Sequence, residues 1–100
     1  MIPPEDPTNY RRIITVIRRL WAGGEVQFSP HAAKRMRRRS LDVNYVQHII
    51  RYGAILSHSP PAGKTWRYVI EGATDQNKTA RCVATIEGRL LIITVTRKDV

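Results

Sequence analysis

One ten-residue stretch, Pro30-His31-Ala32-Ala33-Lys34-Arg35-Met36-Arg37-Arg38-Arg39, concentrates the side chains able to do chemistry. At about 100° per residue, His31, Lys34, Arg35 and Arg38 share a ~100° sector of a helix, with Ala32, Ala33 and Met36 on the other side. Cations at that spacing can grip phosphate oxygens. Arg35 and Arg39, four apart, can hold one phosphate or a developing phosphorane between them. His31 falls in the first helical turn, where the positive helix end and the neighbouring guanidiniums disfavour imidazolium. A neutral imidazole beside phosphate-binding cations can accept a proton, as a general base must. The same spacing also fits a histidine that packs between helix and sheet above a solvated arginine face, and spacing alone does not separate the two.

Further candidates lie on strand-like segments. Trp66-Arg67-Tyr68 could stack a base on Tyr68 and meet a phosphate with Arg67, although Trp66 and Tyr68 suit a core equally well. Thr94 and Thr96 share one face of a last strand, and hydroxyl rows of this kind also arise from β-propensity alone. Other patterns fail on their surroundings. Gly63-Lys64-Thr65 imitates the end of a phosphate-binding loop, but position 58 is His58, not glycine, and the segment leads into a strand. Asn77-Lys78-Thr79 fits a glycosylation sequon without a secretory signal to use it. His31, His48 and His58 lack metal-ligand spacing, and a single cysteine, Cys82, excludes an intrachain disulfide and a cysteine zinc site. The expectation is therefore no metal and no cofactor.

The elements that position these residues follow from periodicity. Pro7-Thr8 opens a helix to about Trp21, stopped by Gly23-Gly24, with Tyr10, Ile13, Ile14, Ile17, Leu20 and Trp21 as one stripe and Arg11, Arg12, Arg18 and Arg19 opposite. Glu25–Phe28 reads as a short extended piece. Ser29-Pro30 starts the cationic helix, to about Arg39. Asp42 caps a third helix, Val43–Tyr52, ended by Gly53, with Val43, Val46, Ile49 and Ile50 as its buried face and Tyr45 and His48 on its polar face. The period then changes. Ala54–His58 reads as a strand, Ser59–Gly63 as a loop, Thr65–Gly72 as a strand, and Thr74–Lys78 as a turn. Ala80–Ile86 and Arg89–Arg97 are strands joined through Glu87-Gly88. Helices first and strands after predict an α+β fold, with the helices on a three- to four-stranded antiparallel sheet.

At 100 residues the chain is read as a single domain, with residues 1–7 a flexible lead-in and 8–22 the N-terminal helix region. Its 13 Arg and 4 Lys against 8 Asp+Glu give a formal charge of +9. Residues 11–51 alone carry ten cations against Glu25 and Asp42, net +8. Such an excess concerns partners rather than fold, and polyanions are the first suspects. No apolar run approaches the ~20 residues of a membrane span, and the acidic, proline-rich start is unlike a signal peptide. A cytoplasmic protein without a membrane partner is expected.

Phe28-Ser29-Pro30-His31-Ala32-Ala33-Lys34-Arg35-Met36, Arg39, the Gly53 stop, Tyr68-Val69-Ile70-Glu71-Gly72 and Leu91-Ile92-Ile93-Thr94-Val95 together resemble an uncharacterised bacterial family marked by a Ser-x-His-Ala-x-x-Arg-Met helix and a final Ile-Thr-Val strand. That family is similar in layout to the RelE, ParE and MqsR toxins. The resemblance covers residues 26–97 and leaves the first helix as an extension. It implies a RelE-like fold, many of whose members are metal-independent ribonucleases. On the matching positions it implies roles for His31, Arg35, Tyr68 and Thr94. Joined to the spacing argument, it gives His31, Arg35 and Tyr68 as candidate catalytic residues, and Lys34, Arg38, Arg39, Arg67 and Thr94 as candidate nucleic-acid contacts. RNA and an acidic antitoxin-like protein are the expected partners, with homodimerisation left open. A non-catalytic basic module that binds nucleic acid or an acidic protein is the alternative.

Overall fold

A computed structural model describes residues 6–62, 65–73 and 78–97. The expectations for residues 1–5, Gly63-Lys64 and the turn at 74–77 lie outside these described residues. Helix α1 spans Tyr10–Ala22, two residues later than the Pro7-Thr8 start that the sequence predicts. Asn9 supplies the cap, its side chain accepting from the Arg12 N–H at 3.3 Å. Thr8 is instead tied back to Asp6, which accepts both its N–H at 2.9 Å and its hydroxyl at 2.6 Å. A three-residue strand β1, Val26–Phe28, leads into α2, Pro30–Arg38. Ser29 caps α2 by accepting from the Ala32 N–H, and proline occupies the first turn, where its missing donor costs nothing. Helix α3, Val43–Tyr52, is capped by Asp42 and closes at Gly53.

Strands β2 (Ala54–Ala62), β3 (Thr65–Ala73), β4 (Thr79–Ile86) and β5 (Leu90–Arg97) form an antiparallel meander. The sheet has five strands in the order β1-β5-β4-β3-β2 and is mixed, correcting the expected three to four antiparallel strands. Strand β1 pairs parallel with β5, Val26 opposite Leu90 and Phe28 opposite Ile92. Val26–Phe28 is extended as expected, but three residues carry no period that would announce a partner strand. The pairing is made by partners more than sixty residues away, including Leu90 N–H to Glu25 O and Ser29 N–H to Ile92 O. Strand β2 also runs on through Ser59-Pro60-Pro61, which the sequence reads as loop. Proline cannot donate to a ladder, but β2 is an edge strand, and its register shifts between Ser59 and Ala62 absorb the irregularity.

The helices pack on one face of the sheet around a single core. Ile13, Ile17 and Leu20 of α1, Ala32 and Met36 of α2, and Val46, Ile49 and Ile50 of α3 meet Ile70, Cys82, Ala84, Leu90, Ile92 and Val95. Two α3 expectations reverse. Tyr45 is buried at 6% exposure, whereas Val43, placed on the buried face, is 52% exposed. In a first helical turn the direction of chain entry decides which residues meet the core, and periodicity does not carry that direction. The alternate positions of β3–β5 lie on the other face in register rows: Arg67 with Thr85 and Leu91, Val69 with Val83 and Thr94, Glu71 with Arg81 and Thr96. Arg81 Nε and Glu71 Oε2 form an ion pair there at 2.7 Å. Among the described residues, no helix is long and apolar enough to cross a membrane.

Candidate nucleic-acid interface

Helix α2 buries little. Ala32 and Met36 are its only buried residues, so a thin apolar edge docks the helix while the rest of its circumference meets solvent. Its N-terminus is fixed to the sheet twice, through Ser29 N–H to Ile92 O and through the Ser29 hydroxyl to Ile93 O, at 2.8 Å. Ser29 therefore caps the helix and anchors it to β5 with the same oxygen. At the other end, Leu41 N–H reaches back to Met36 O at 2.8 Å, past Ser40 in a left-handed conformation with φ of 54°.

The outward face forms a concavity of about 130 Å³ lined by His31, Lys34, Arg35, Arg38 and Arg39. Among the described residues, four formal positive charges and one imidazole surround this space, and no carboxylate lines it. Its lining offers several N–H donors toward one space, the arrangement that phosphate oxygens accept from. Lys34, Arg38 and Arg39 are exposed and Arg35 is half-buried, so Arg35 is the most constrained cation of the set. Arg39 is not itself helical. It is the C-cap, its N–H bonded to Arg35 O and Arg37 O, which turns its side chain back toward the row formed by Arg35 and Arg38. Cations in a last turn also complement the helix dipole, so the cluster does not destabilise its own helix.

The three histidines have different fates. His48 Nδ1 lies 2.9 Å from Ala73 O, with its ring against Tyr52 at 4.7 Å. His58 Nδ1 lies 2.8 Å from the Tyr10 hydroxyl. His31 is exposed and makes no hydrogen bond to another described residue, which leaves both ring nitrogens open to a ligand. No cluster of three or more His, Cys, Asp or Glu side chains suited to a metal ion occurs among the described residues.

The remaining predicted site residues are elsewhere. Tyr68 sits on the core face of β3 at 3% exposure, opposite His58 in the ladder. Burial first, and then the proximity of Tyr10 and Asp6, hold its phenol above the ordinary tyrosine value. It does not line the α2 concavity. Arg67 is exposed on the opposite face of β3, and Thr94 lies half-buried on that same outer face of β5. The structure thus brings His31, Lys34, Arg35, Arg38 and Arg39 together, places Arg67 and Thr94 on a second surface, and puts Tyr68 inside. The Tyr10–His58 pair escaped sequence reasoning. Its members are 48 residues apart, and neither stands in a pattern that points to the other.

A family profile matches residues 28–97 of the chain. The chain belongs to the family Domain of unknown function (DUF4258). The DUF4258 segment begins on the last residue of β1 and contains α2 with all five residues of its cationic concavity. Helix α1 lies before the DUF4258 segment and closes the core from outside it. Comparison with curated proteins and with solved structures gives no match.

Proposed function

We propose that this chain is a toxin-type protein that binds RNA through α2 and cleaves it without a metal. The observation that carries the reading is the joint placement of His31 with Lys34, Arg35, Arg38 and Arg39 around one concavity. The layout of helices before a β-meander supports a RelE-like relationship, and an acidic antitoxin-like partner fits the basic excess of residues 11–51. In the proposed step, an RNA 2′-hydroxyl gives its proton to His31 as its oxygen bonds to phosphorus. The bond from phosphorus to the 5′-oxygen breaks, and that oxygen takes a proton from solvent. Arg35 and Arg39 hold the charge that builds on the phosphorane, and Lys34 and Arg38 hold neighbouring phosphates. The products are a 2′,3′-cyclic phosphate and a 5′-hydroxyl.

The test is incubation of the protein with single-stranded RNA in EDTA, beside His31→Ala. Cleavage to cyclic-phosphate ends by wild type alone supports the proposal. No cleavage by either protein, or equal cleavage by both, removes it.

One observation favours the alternative of binding without turnover. Tyr68, the expected second functional group, is enclosed in the core, which leaves His31 with only lysine and arginine side chains beside it among the described residues of the concavity. The binding module predicts salt-dependent RNA affinity that Arg38→Glu weakens and His31→Ala does not.

A further inference from the structure

A second concavity, of about 310 Å³, lies between α1 and α3 and is lined by Arg18, Trp21, Ala22, Gln47, Ile50 and Arg51. Among the described residues, it shares none with the α2 cluster. Trp21, Ala22 and Ile50 give it an apolar floor, and Trp21 is held edge-on to Phe28 with ring centroids 6.1 Å apart. The two guanidiniums at its margin are restrained. Arg18 donates from Nε to Ile50 O at 2.9 Å and from Nη2 to Gly53 O at 3.0 Å, and Arg51 lies 5.5 Å over the Tyr52 ring. Carbonyl partners fix the Arg18 side chain without neutralising it. Arg11, seven residues earlier on α1, falls about 20° from Arg18 around the helix axis, two turns away and outside the groove lining.

We propose that this groove docks an acidic protein segment, which inserts one bulky apolar side chain between Trp21 and Ile50 and sets carboxylates against Arg18 and Arg51. An apolar anchor in a desolvated pocket, ringed by charge of opposite sign, is how small interfaces gain both affinity and selectivity. The volume takes one large side chain and the backbone that carries it. A second copy of this chain is disfavoured, because each copy carries +9 and would set guanidinium against guanidinium. RNA is disfavoured because its backbone needs a track of donors. Here two of the five Arg18 N–H groups are already committed, and the floor between the cations is apolar. The inference rests on the acidic partner of the proposed function, and adds where and by what chemistry that partner would seat. Docking here leaves the α2 concavity open, so protein partner and RNA can be held together.

The experiment titrates ¹⁵N-labelled full chain with an N-acetylated sixteen-residue helical peptide bearing leucine at helical three-four spacing and glutamate elsewhere. A peptide with lysine in place of each glutamate is the counterpart. The expected result is micromolar binding of the acidic peptide only, with shifts centred on the Trp21 indole N–H, the Gln47 side-chain amide and the Arg18 Nε–H. Binding should weaken at least tenfold in Ala22→Trp, which fills the groove, and in Arg51→Glu, which reverses its rim. If Ala22→Trp does not fold, the exposed Arg51→Glu decides alone. Shifts centred on α2, equal binding of the lysine peptide, no loss in the folded variants, or no binding at millimolar peptide each overturn the proposal. So does a twelve-nucleotide RNA that shifts the same groove signals and is displaced by Ala22→Trp, or a dimer in sedimentation that this substitution breaks. Loss of peptide docking with RNA cleavage intact sinks only this inference. Docking intact with no RNA cleavage sinks only the proposed reaction.

Discussion

Gly53 and Gly72 stand back to back where α3 ends over β3. A Cβ on Gly72 would lie 2.7 Å from Gly53 Cα, and one on Gly53 would lie 2.4 Å from Ile49 O and 2.5 Å from Glu71 O. Gly53 has φ of −86° and ψ of −177°, a backbone that any residue adopts, so the requirement is space and not conformation. Backbone blocks both positions, which a side-chain rotamer cannot relieve. Gly53→Ala and Gly72→Ala are each expected to cost at least ~1–3 kcal/mol, read as a lower urea midpoint at unchanged m. The exposed Gly24 and Gly88 meet nothing within 4 Å, so crowding plays no part there; their φ values of +74° and +73° make any alanine cost conformational.

Tyr10 and His58 tie the start of α1 to the edge strand through a single 2.8 Å hydrogen bond, with Trp66 edge-on to the imidazole at 5.4 Å. Tyr10→Phe keeps the ring and removes the bond. A loss of about 0.5–1.5 kcal/mol in chemical denaturation is expected, with local loss of hydrogen-exchange protection in the first turn of α1. An unchanged stability would mean that water replaces the phenol at no cost.

RNA binding through α2 should fall steeply with salt. Four cations engaged on single-stranded RNA predict a slope of log affinity against log salt of about −3, from roughly −0.7 per neutralised phosphate. Arg35→Ala and Arg38→Ala should each make that slope shallower by about 0.7, measured by fluorescence anisotropy across a salt series. His31→Ala should leave the slope alone and lower the cleavage rate by about 10²–10⁴. A slope unmoved by either arginine variant would place the RNA elsewhere.

Cys82 is fully buried in β4, and burial pushes its thiol up to about 12 from an ordinary 9.0. Tyr68 is shifted the same way. In both groups the folded state holds its proton to higher pH than the unfolded chain does. Above pH 9 the unfolded state therefore binds fewer protons, and folding stability falls as pH rises toward 12. Urea midpoints should decline through this window, and the decline should be shallower in Cys82→Ala, whatever that variant loses at neutral pH. At pH 8 a thiol reagent should label Cys82 only when the protein is unfolded.

Local rules carried the helical half of the molecule far. Ser29, Asp42 and Gly53 mark their helix ends because capping is a matter of a few adjacent atoms, and the three-four spacing of His31, Lys34, Arg35 and Arg38 put four of the five residues of the α2 concavity on one face. Arg39 joined them only through the C-cap geometry that ends the helix. The strands were less legible. Strand β1 is too short to show a period, and β2 continues through Ser59-Pro60-Pro61 because an edge tolerates what a central strand does not.

The sequence by itself determined the α+β order, the cationic helix and the charge excess, since each depends on residue type and on neighbours within a turn or two. Tertiary structure decided which chemistry shares a space. Tyr68 looked like a partner for His31, but the pleat turns its side chain into the core beside His58 and sends Arg67 to the opposite face. Arg18 looked like one member of a solvated stripe, yet the packing of α1 on α3 makes it the clamp on Ile50 O and Gly53 O and one wall of an apolar groove. The Arg18 contacts join residues 32 and 35 positions apart. They exist only once the helices have chosen their face of the sheet, a choice set by the summed burial of the core rather than by any local signal.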